Sequence, residues 1–272
     1  EDSNGVPYPA ITEQDIVFCY NFRSDRLRQL TTVLTQEDFP EFSMKALDLR
    51  YYTMTEYNDK FKNVSIVFPK QKLDQSIGEM LSRYGVRQLR IAETEKYPHV
   101  TFFFNGGREQ AFSGERRILI PSPKVATYDL KPSMSAYELT DALLEDLKVN
   151  KPEFVCLNFA NTDMVGHTGV FKAAMEAAET VDTCLQKIVE LAKSLEYNII
   201  ILSDHGNADC MINPDGSPNT AHTKNPVPCI LIADPSFRIR DGRLCDIAPT
   251  LLELMQLPVP AVMTGENLVY RV

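Results

Sequence analysis

Residues 198–207 read Asn198-Ile199-Ile200-Ile201-Leu202-Ser203-Asp204-His205-Gly206-Asn207. A short β-branched run that stops at Asp-His-Gly predicts a buried strand handing two ligand-type side chains to a loop at its carboxyl end. Open α/β sheets form their ligand crevices at such strand ends. Adjacent strand residues point to opposite faces, so Asp204 and His205 can meet one ion only where the chain has left the strand. Gly206 makes that turn easy.

Outward from this stretch, strands and helices alternate. The clearest helix covers residues 170–195, where Val170, Ala173, Ala177, Val181, Leu185, Ile188, Ala192 and Leu195 recur at three- and four-residue spacing. Before it, Phe154 to Phe159 predicts a buried strand, and Ser135-Ala136-Tyr137-Glu138 predicts a capping box opening a helix to Val149. Asp74 is expected to cap a helix through Tyr84, with Gly85 at its end. Val86 to Ala92 and His99 to Phe104 read as strands. Beyond the opening stretch, Val227 to Ala233 reads as a strand and Asp246 as the cap of a helix through Met255. Nearer the start, strands are predicted at Asp15–Tyr20, Leu47–Thr55 and Val64–Phe68. Ser24 or Asp25 is expected to cap a helix through Leu34. The class is α/β: a layered, mostly parallel sheet with helices on both faces. The rhythm changes at Lys70-Gln71-Lys72, which sets a boundary between 1–72 and 73–272.

The composition is globular, with 272 residues, 44% hydrophobic and 24% charged. A formal net charge of −9 argues against nucleic acid or an anionic membrane as the main partner. It leaves room for a small anionic substrate met by a local basic cluster. No apolar run approaches the ~20 residues of a membrane helix, and no signal-peptide pattern opens the chain. Six cysteines lie scattered without CxxC spacing, several of them in apolar segments, and read as reduced core residues of a cytoplasmic protein rather than a disulfide framework. The first residue is Glu1 rather than Met, which reads as a processed product or a piece of a longer protein.

Three of the four histidines sit beside carboxylates or turn signals. Asp163 and His167, four apart after the strand at 154–159, would share one face of a helical turn. Asp204 and His205 follow the next strand. His222 lies in the polar loop Ser217-Pro218-Asn219-Thr220-Ala221-His222-Thr223. Each histidine alone is as well read as a surface loop residue; the three together favour a metal site. Carboxylate oxygens and imidazole nitrogens without thiolates suit Mn²⁺, Zn²⁺ or Fe²⁺. Arg23 and Arg26, three apart, can clamp a phosphate or carboxylate, although spacing alone favours a solvated surface face. Lys96 carries no signal of its own, and His99 reads as a structural histidine.

These segments together resemble the 2,3-bisphosphoglycerate-independent phosphoglycerate mutases of the alkaline phosphatase superfamily. The matching stretches are residues 21–26 (NFRSDR), 92–107 (AETEKYPHVTFFFNGG), 122–135 (SPKVATYDLKPSMS), 158–167 (NFANTDMVGH), 203–209 (SDHGNAD) and 216–228 (GSPNTAHTKNPVP). The resemblance implies an alkaline-phosphatase-like fold and an enzyme that interconverts 3-phosphoglycerate and 2-phosphoglycerate in the cytoplasm. That reaction runs through a phosphoserine and two divalent metals, with no 2,3-bisphosphoglycerate. Mn²⁺ is the expected metal, with Zn²⁺, Co²⁺ or Mg²⁺ as alternatives. By position, Asp163, His167 and His222 would hold one ion and Asp204 and His205 the second. Arg23 and Arg26 would clamp the substrate phosphate, and Lys96 would sit near the transferring phosphoryl group as the catalytic residue retained here. Residues 1–72 would be the C-terminal part of the transferase domain, and 73–272 the metal-binding phosphatase-like domain without its N-terminal segment.

No serine here matches the family's nucleophile, and its Asp-Gly-x-Gly segment has no counterpart. The chain therefore reads as the C-terminal half of a monomeric mutase, inactive alone. Another superfamily metalloenzyme, a phosphopentomutase or phosphodiesterase, fits the ligand pattern but not the stretches at 21–26 and 92–107. A non-catalytic metal-binding fragment is the reading from outside enzymes.

Overall fold

The computed structural model describes residues 10–22, 27–69 and 73–272. They divide into two units, Glu1–Lys72 and Leu73–Val272. In the first, β1 (Ile16–Cys19) leads to α1 (Arg28–Thr35), and β2 (Arg50–Thr53) and β3 (Val64–Ile66) complete a parallel sheet of order β1-β2-β3. One face packs Cys19, Leu49, Tyr51 and Tyr57 against Leu27 and Leu34. Tyr51 carries its hydroxyl into this core, where burial and the neighbouring Cys19 push its pKa up. The expected caps of α1, Ser24 and Asp25, lie outside the described residues.

The second unit opens with α2 (Ile77–Arg83), followed by β4 (Gln88–Glu93), β5 (Glu115–Ile120), α3 (Ala136–Val149) and β6 (Phe154–Asn158). The three strands form a parallel sheet of order β5-β4-β6. Every residue of β4 is buried, as a central strand covered on both faces requires. Leu89 and Ile91 face Leu139, Leu143 and Leu147 of α3. On the other face Phe154 and Cys156 of β6 meet Ile77, Met80 and Leu81 of α2. The short α4 (Asn161–Gly166) and the long α5 (Phe171–Ser194) follow. Ile188 of α5 joins the α3 side, whereas Ala173, Ala174 and Ala177 pack under Val165 of α4. Small residues on α5 thus let α4 sit close. β7 (Ile199–Leu202), β8 (Cys229–Ile232), β9 (Phe237–Ile239), α6 (Ile247–Leu254) and β10 (Val269–Arg271) complete the chain. Leu252 of α6 packs on the α2 side, so helices cover both faces of an α/β sheet, the expected class.

Several elements differ from their sequence reading. His99–Phe103 is a π-helical turn rather than a strand. An apolar run of aromatic and β-branched residues does not by pattern alone separate the two, and here Thr101 Oγ1 donates to Tyr97 O at 2.7 Å across a turn. α2 begins two residues later than expected, because Ser76 and not Asp74 accepts the Glu79 amide. Ser135 makes no capping box, since its hydroxyl donates to Pro121 O at 2.7 Å instead. β7 and β8 pair antiparallel with each other, and among the described residues neither is hydrogen-bonded to the β5-β4-β6 sheet. No crossover helix lies in residues 203–228, so the chain returns antiparallel rather than winding around into a parallel partner. β5, β9 and β10 carry no reading from sequence.

Candidate metal centre

Three segments of the second unit meet in one place. The first is α4, which starts three residues after β6 and is anchored by Ala160 and Val165, both fully buried. It presents Asp163, with His167 at its C-cap. The second is residues 203–209, leaving the end of β7. The third is the loop that carries His222. A bridge ties the second and third together, with Thr223 N donating to Gly206 O at 2.8 Å. Asp209 strengthens it by accepting from Thr223 Oγ1 at 2.9 Å and Asn225 Nδ2 at 2.6 Å. A Cβ on Gly206 would overlap Thr223 Oγ1 of the facing loop and come within 2.6 Å of Asp209 Oδ1, so only glycine lets the two loops close this far.

The result is a triangle of ligand atoms. His222 Nε2 lies 3.1 Å from Asp163 Oδ1 and 3.1 Å from His167 Nε2, and His167 Nε2 lies 3.2 Å from the same carboxylate oxygen. His167 Nδ1 is 2.7 Å from Thr220 O. A carbonyl can only accept, so Nδ1 carries the proton, which in the neutral ring leaves the Nε2 lone pair facing inward. Two ligands held about 2.0–2.2 Å from one ion at tetrahedral or octahedral angles stand about 3.0–3.5 Å apart. The triangle has that size. Donor type, tautomer and spacing all fit a divalent ion of the Mn²⁺ or Zn²⁺ kind.

Asp163 has other partners. Lys96 pairs with its second oxygen, Oδ2. Asn207 Nδ2 donates to Oδ1 at 2.9 Å. Burial pushes the Asp163 carboxyl up, but Lys96, the Asn207 amide and His167 outweigh it and hold the group below the usual carboxylate range.

Of the expected second pair, His205 stacks on His222 with ring centroids 3.7 Å apart and planes at 22°. Its Nε2 lies 3.6 Å from Asp204 Oδ1, and the Asp204 side chain is 62% exposed. Asp204 and His205 thus border the triangle without joining it. Arg23 and Arg26 lie outside the described residues. Asn207 acquires a place that its sequence reading lacked. His99, three residues beyond Lys96, has its pKa lowered by burial and by the Lys96 charge, against the pull of Asp204 and Asp163.

Residues 23–259 match the model of the metalloenzyme superfamily. The chain belongs to the metalloenzyme superfamily. Within it, the chain is 54% identical over 267 residues to a 2,3-bisphosphoglycerate-independent phosphoglycerate mutase of Flavobacterium psychrophilum, covering 98% of this chain and 53% of that protein. A mutase of the same name from Clostridium botulinum is 53% identical over 267 residues, covering 97% and 52%. Among solved structures, a Leishmania mexicana phosphoglycerate mutase determined at low cobalt concentration matches with a TM-score of 0.77 and 31% identity. That match covers 100% of this chain and 53% of the other. The chain spans about half the length of the curated relatives it matches.

Proposed function

We propose that this metalloenzyme-superfamily chain is the metal-holding part of a cofactor-independent phosphoglycerate mutase, a cytoplasmic isomerase of glycolysis and gluconeogenesis. The observation that carries the reading is the convergence of Asp163 Oδ1, His167 Nε2 and His222 Nε2 within 3.2 Å of one another, beside a lysine. Relatives of that name, 51–55% identical across nearly the whole chain, support it.

Asp163, His167 and His222 would hold one divalent ion, and Asp204 with His205 part of the shell of a second. Mn²⁺ is the metal we assign, on the family resemblance; the thiolate-free carboxylate and imidazole donors suit it and Zn²⁺ alike. When bound, the ions would supply positive charge to phosphoryl oxygens and lower the pKa of a hydroxyl nucleophile. The chain's own residues prepare that chemistry. Lys96, only 8% exposed and aligned on Asp163, keeps a fixed positive charge where a transferred phosphoryl group would pass. His167 is locked in one tautomer by Thr220 O. Arg23 and Arg26 would clamp the phosphate of the three-carbon acid. Residues 1–72 would belong to the substrate-binding domain and 73–272 to the phosphatase-like one, together working as a monomer.

Because no serine in the chain matches the nucleophile, the purified 272 residues should give no turnover in an enolase-coupled assay. Metal analysis should find one tightly held ion, lost in Asp163→Ala. Turnover by the chain, or two tight ions, would contradict this assignment.

A further inference from the structure

Gly166 ends α4 without a positive φ, and nothing about its backbone calls for glycine. In such a helical position alanine is the better residue. What Gly166 provides is room. A Cβ there would overlap Asn207 Oδ1 and come within 2.9 Å of Asn207 Cγ.

Asn207 uses that room to reach Asp163. It is 5% exposed and comes from the loop after β7, a separate segment of chain. Its Nδ2 donates to Asp163 Oδ1 at 2.9 Å and reaches Asp163 O at 3.4 Å. The same nitrogen lies 3.4 and 3.5 Å from the two ring nitrogens of His167. Both Asp163 atoms are acceptors, so the amide nitrogen must face them and the amide oxygen must face Gly166. That oxygen is buried and has no hydrogen-bond partner among the described residues. Leaving a buried acceptor unpaired is costly, and the orientation survives because the other end of the amide is bound to Asp163. Lys96 takes Oδ2 and Asn207 takes Oδ1, so the carboxylate is gripped on both oxygens. It cannot rotate about its last bond, and Oδ1 stays aimed at His167 and His222.

We propose that Asn207 is the positioning residue of this centre, and that Gly166 is the notch that admits it. The pair sets how tightly the Asp163–His167–His222 group binds a divalent ion. This rests on the metal assignment above. Partners of a ligand's free atoms commonly change metal affinity about 10–100-fold when removed.

The test is calorimetric titration of the chain with Mn²⁺, repeated by Co²⁺ absorption, which reports ligand arrangement. Asn207→Ala should weaken Mn²⁺ binding about 10–100-fold and alter the Co²⁺ bands. Gly166→Ala, which leaves the amide present but displaces it, should weaken binding as well. In Asn207→Ala the notch has no occupant, so adding Gly166→Ala should cost little more, a non-additivity that independent sites would not give. If Asn207→Ala folds poorly, Gly166→Ala alone, which keeps the amide and displaces it, decides the positioning role. Unchanged Mn²⁺ affinity in Asn207→Ala, with the parent chain binding normally, overturns the positioning role and leaves the metal assignment intact. Strict additivity of the two substitutions overturns the notch. No Mn²⁺ binding by the parent chain overturns both readings at once.

Discussion

Glu93 closes β4 three residues before Lys96, and it is buried without a basic partner among the described residues. Burial pushes its carboxyl pKa up, more than its hydrogen bonds from Ser122 Oγ and the Ser135 backbone pull it down; Glu138 and Glu95 add to the rise. The folded chain therefore keeps this proton to higher pH than the unfolded chain. The associated stability is fully present below the ordinary carboxyl range and drains away as pH rises through the folded value. Glu93→Gln keeps an acceptor for Ser122 and removes the buried charge. It should raise the melting temperature at pH 8 by a few degrees, at about 2–4 °C per kcal/mol, with the gain shrinking towards pH 4. Thermal melts at the two pH values decide it. At this scale the sequence was informative only where chemistry is scarce. Four histidines in the chain made Asp163, His167 and His222 visible. Asn207 and Glu93 belong to abundant types, and only burial and partners separate them from other amides and carboxylates.

Elements were legible where a period could be counted. α5 lies where its stripe predicts, with Ala173, Ala177, Ile188 and Ala192 buried but Thr180 and Cys184 in place of Val181 and Leu185, and β4 and β6 lie within a residue or two of their apolar runs. The π-helical turn at His99–Phe103 was not, because aromatic and β-branched residues serve a buried strand and a buried turn equally well. The caps differ from expectation for a related reason. Ser135 has the right residue type, but a tertiary acceptor, Pro121 O, claims its hydroxyl. The element that matters most for the centre is α4, whose 6 residues are too few to hold a helix by themselves. Its shape depends on Val165 reaching Ala173, Ala174 and Ala177. Val165→Ala should cost roughly 1–3 kcal/mol of unfolding free energy, read by denaturant titration. Divalent-ion affinity should fall with it, since Asp163 and His167 flank that anchor.

At the scale of the molecule, alternation of strands and helices announced the α/β class, and the parallel β5-β4-β6 sheet with helices on both faces agrees. The antiparallel return of β7 and β8 was hidden because strand direction depends on the connection. Residues 203–228 look like a string of turns until Gly206 and Thr223 are found bridged. That bridge and the triangle above it have a thermodynamic side. Asp163 and His222 stand 59 residues apart in sequence, and an ion gripping both closes that span as a reversible cross-link. Because such an ion binds the folded chain and not the unfolded one, it stabilises by mass action, by about 4 kcal/mol at roughly 1,000 times its dissociation constant. Unlike a disulfide, this tie is undone by a chelator. Adding EDTA should lower the melting temperature by on the order of 10 °C, and Mn²⁺ should restore it. In Asp163→Ala the chelator should make no difference. The same atoms that would prepare a phosphoryl transfer would then also decide how long α5, β7 and the loops between β7 and β8 stay together.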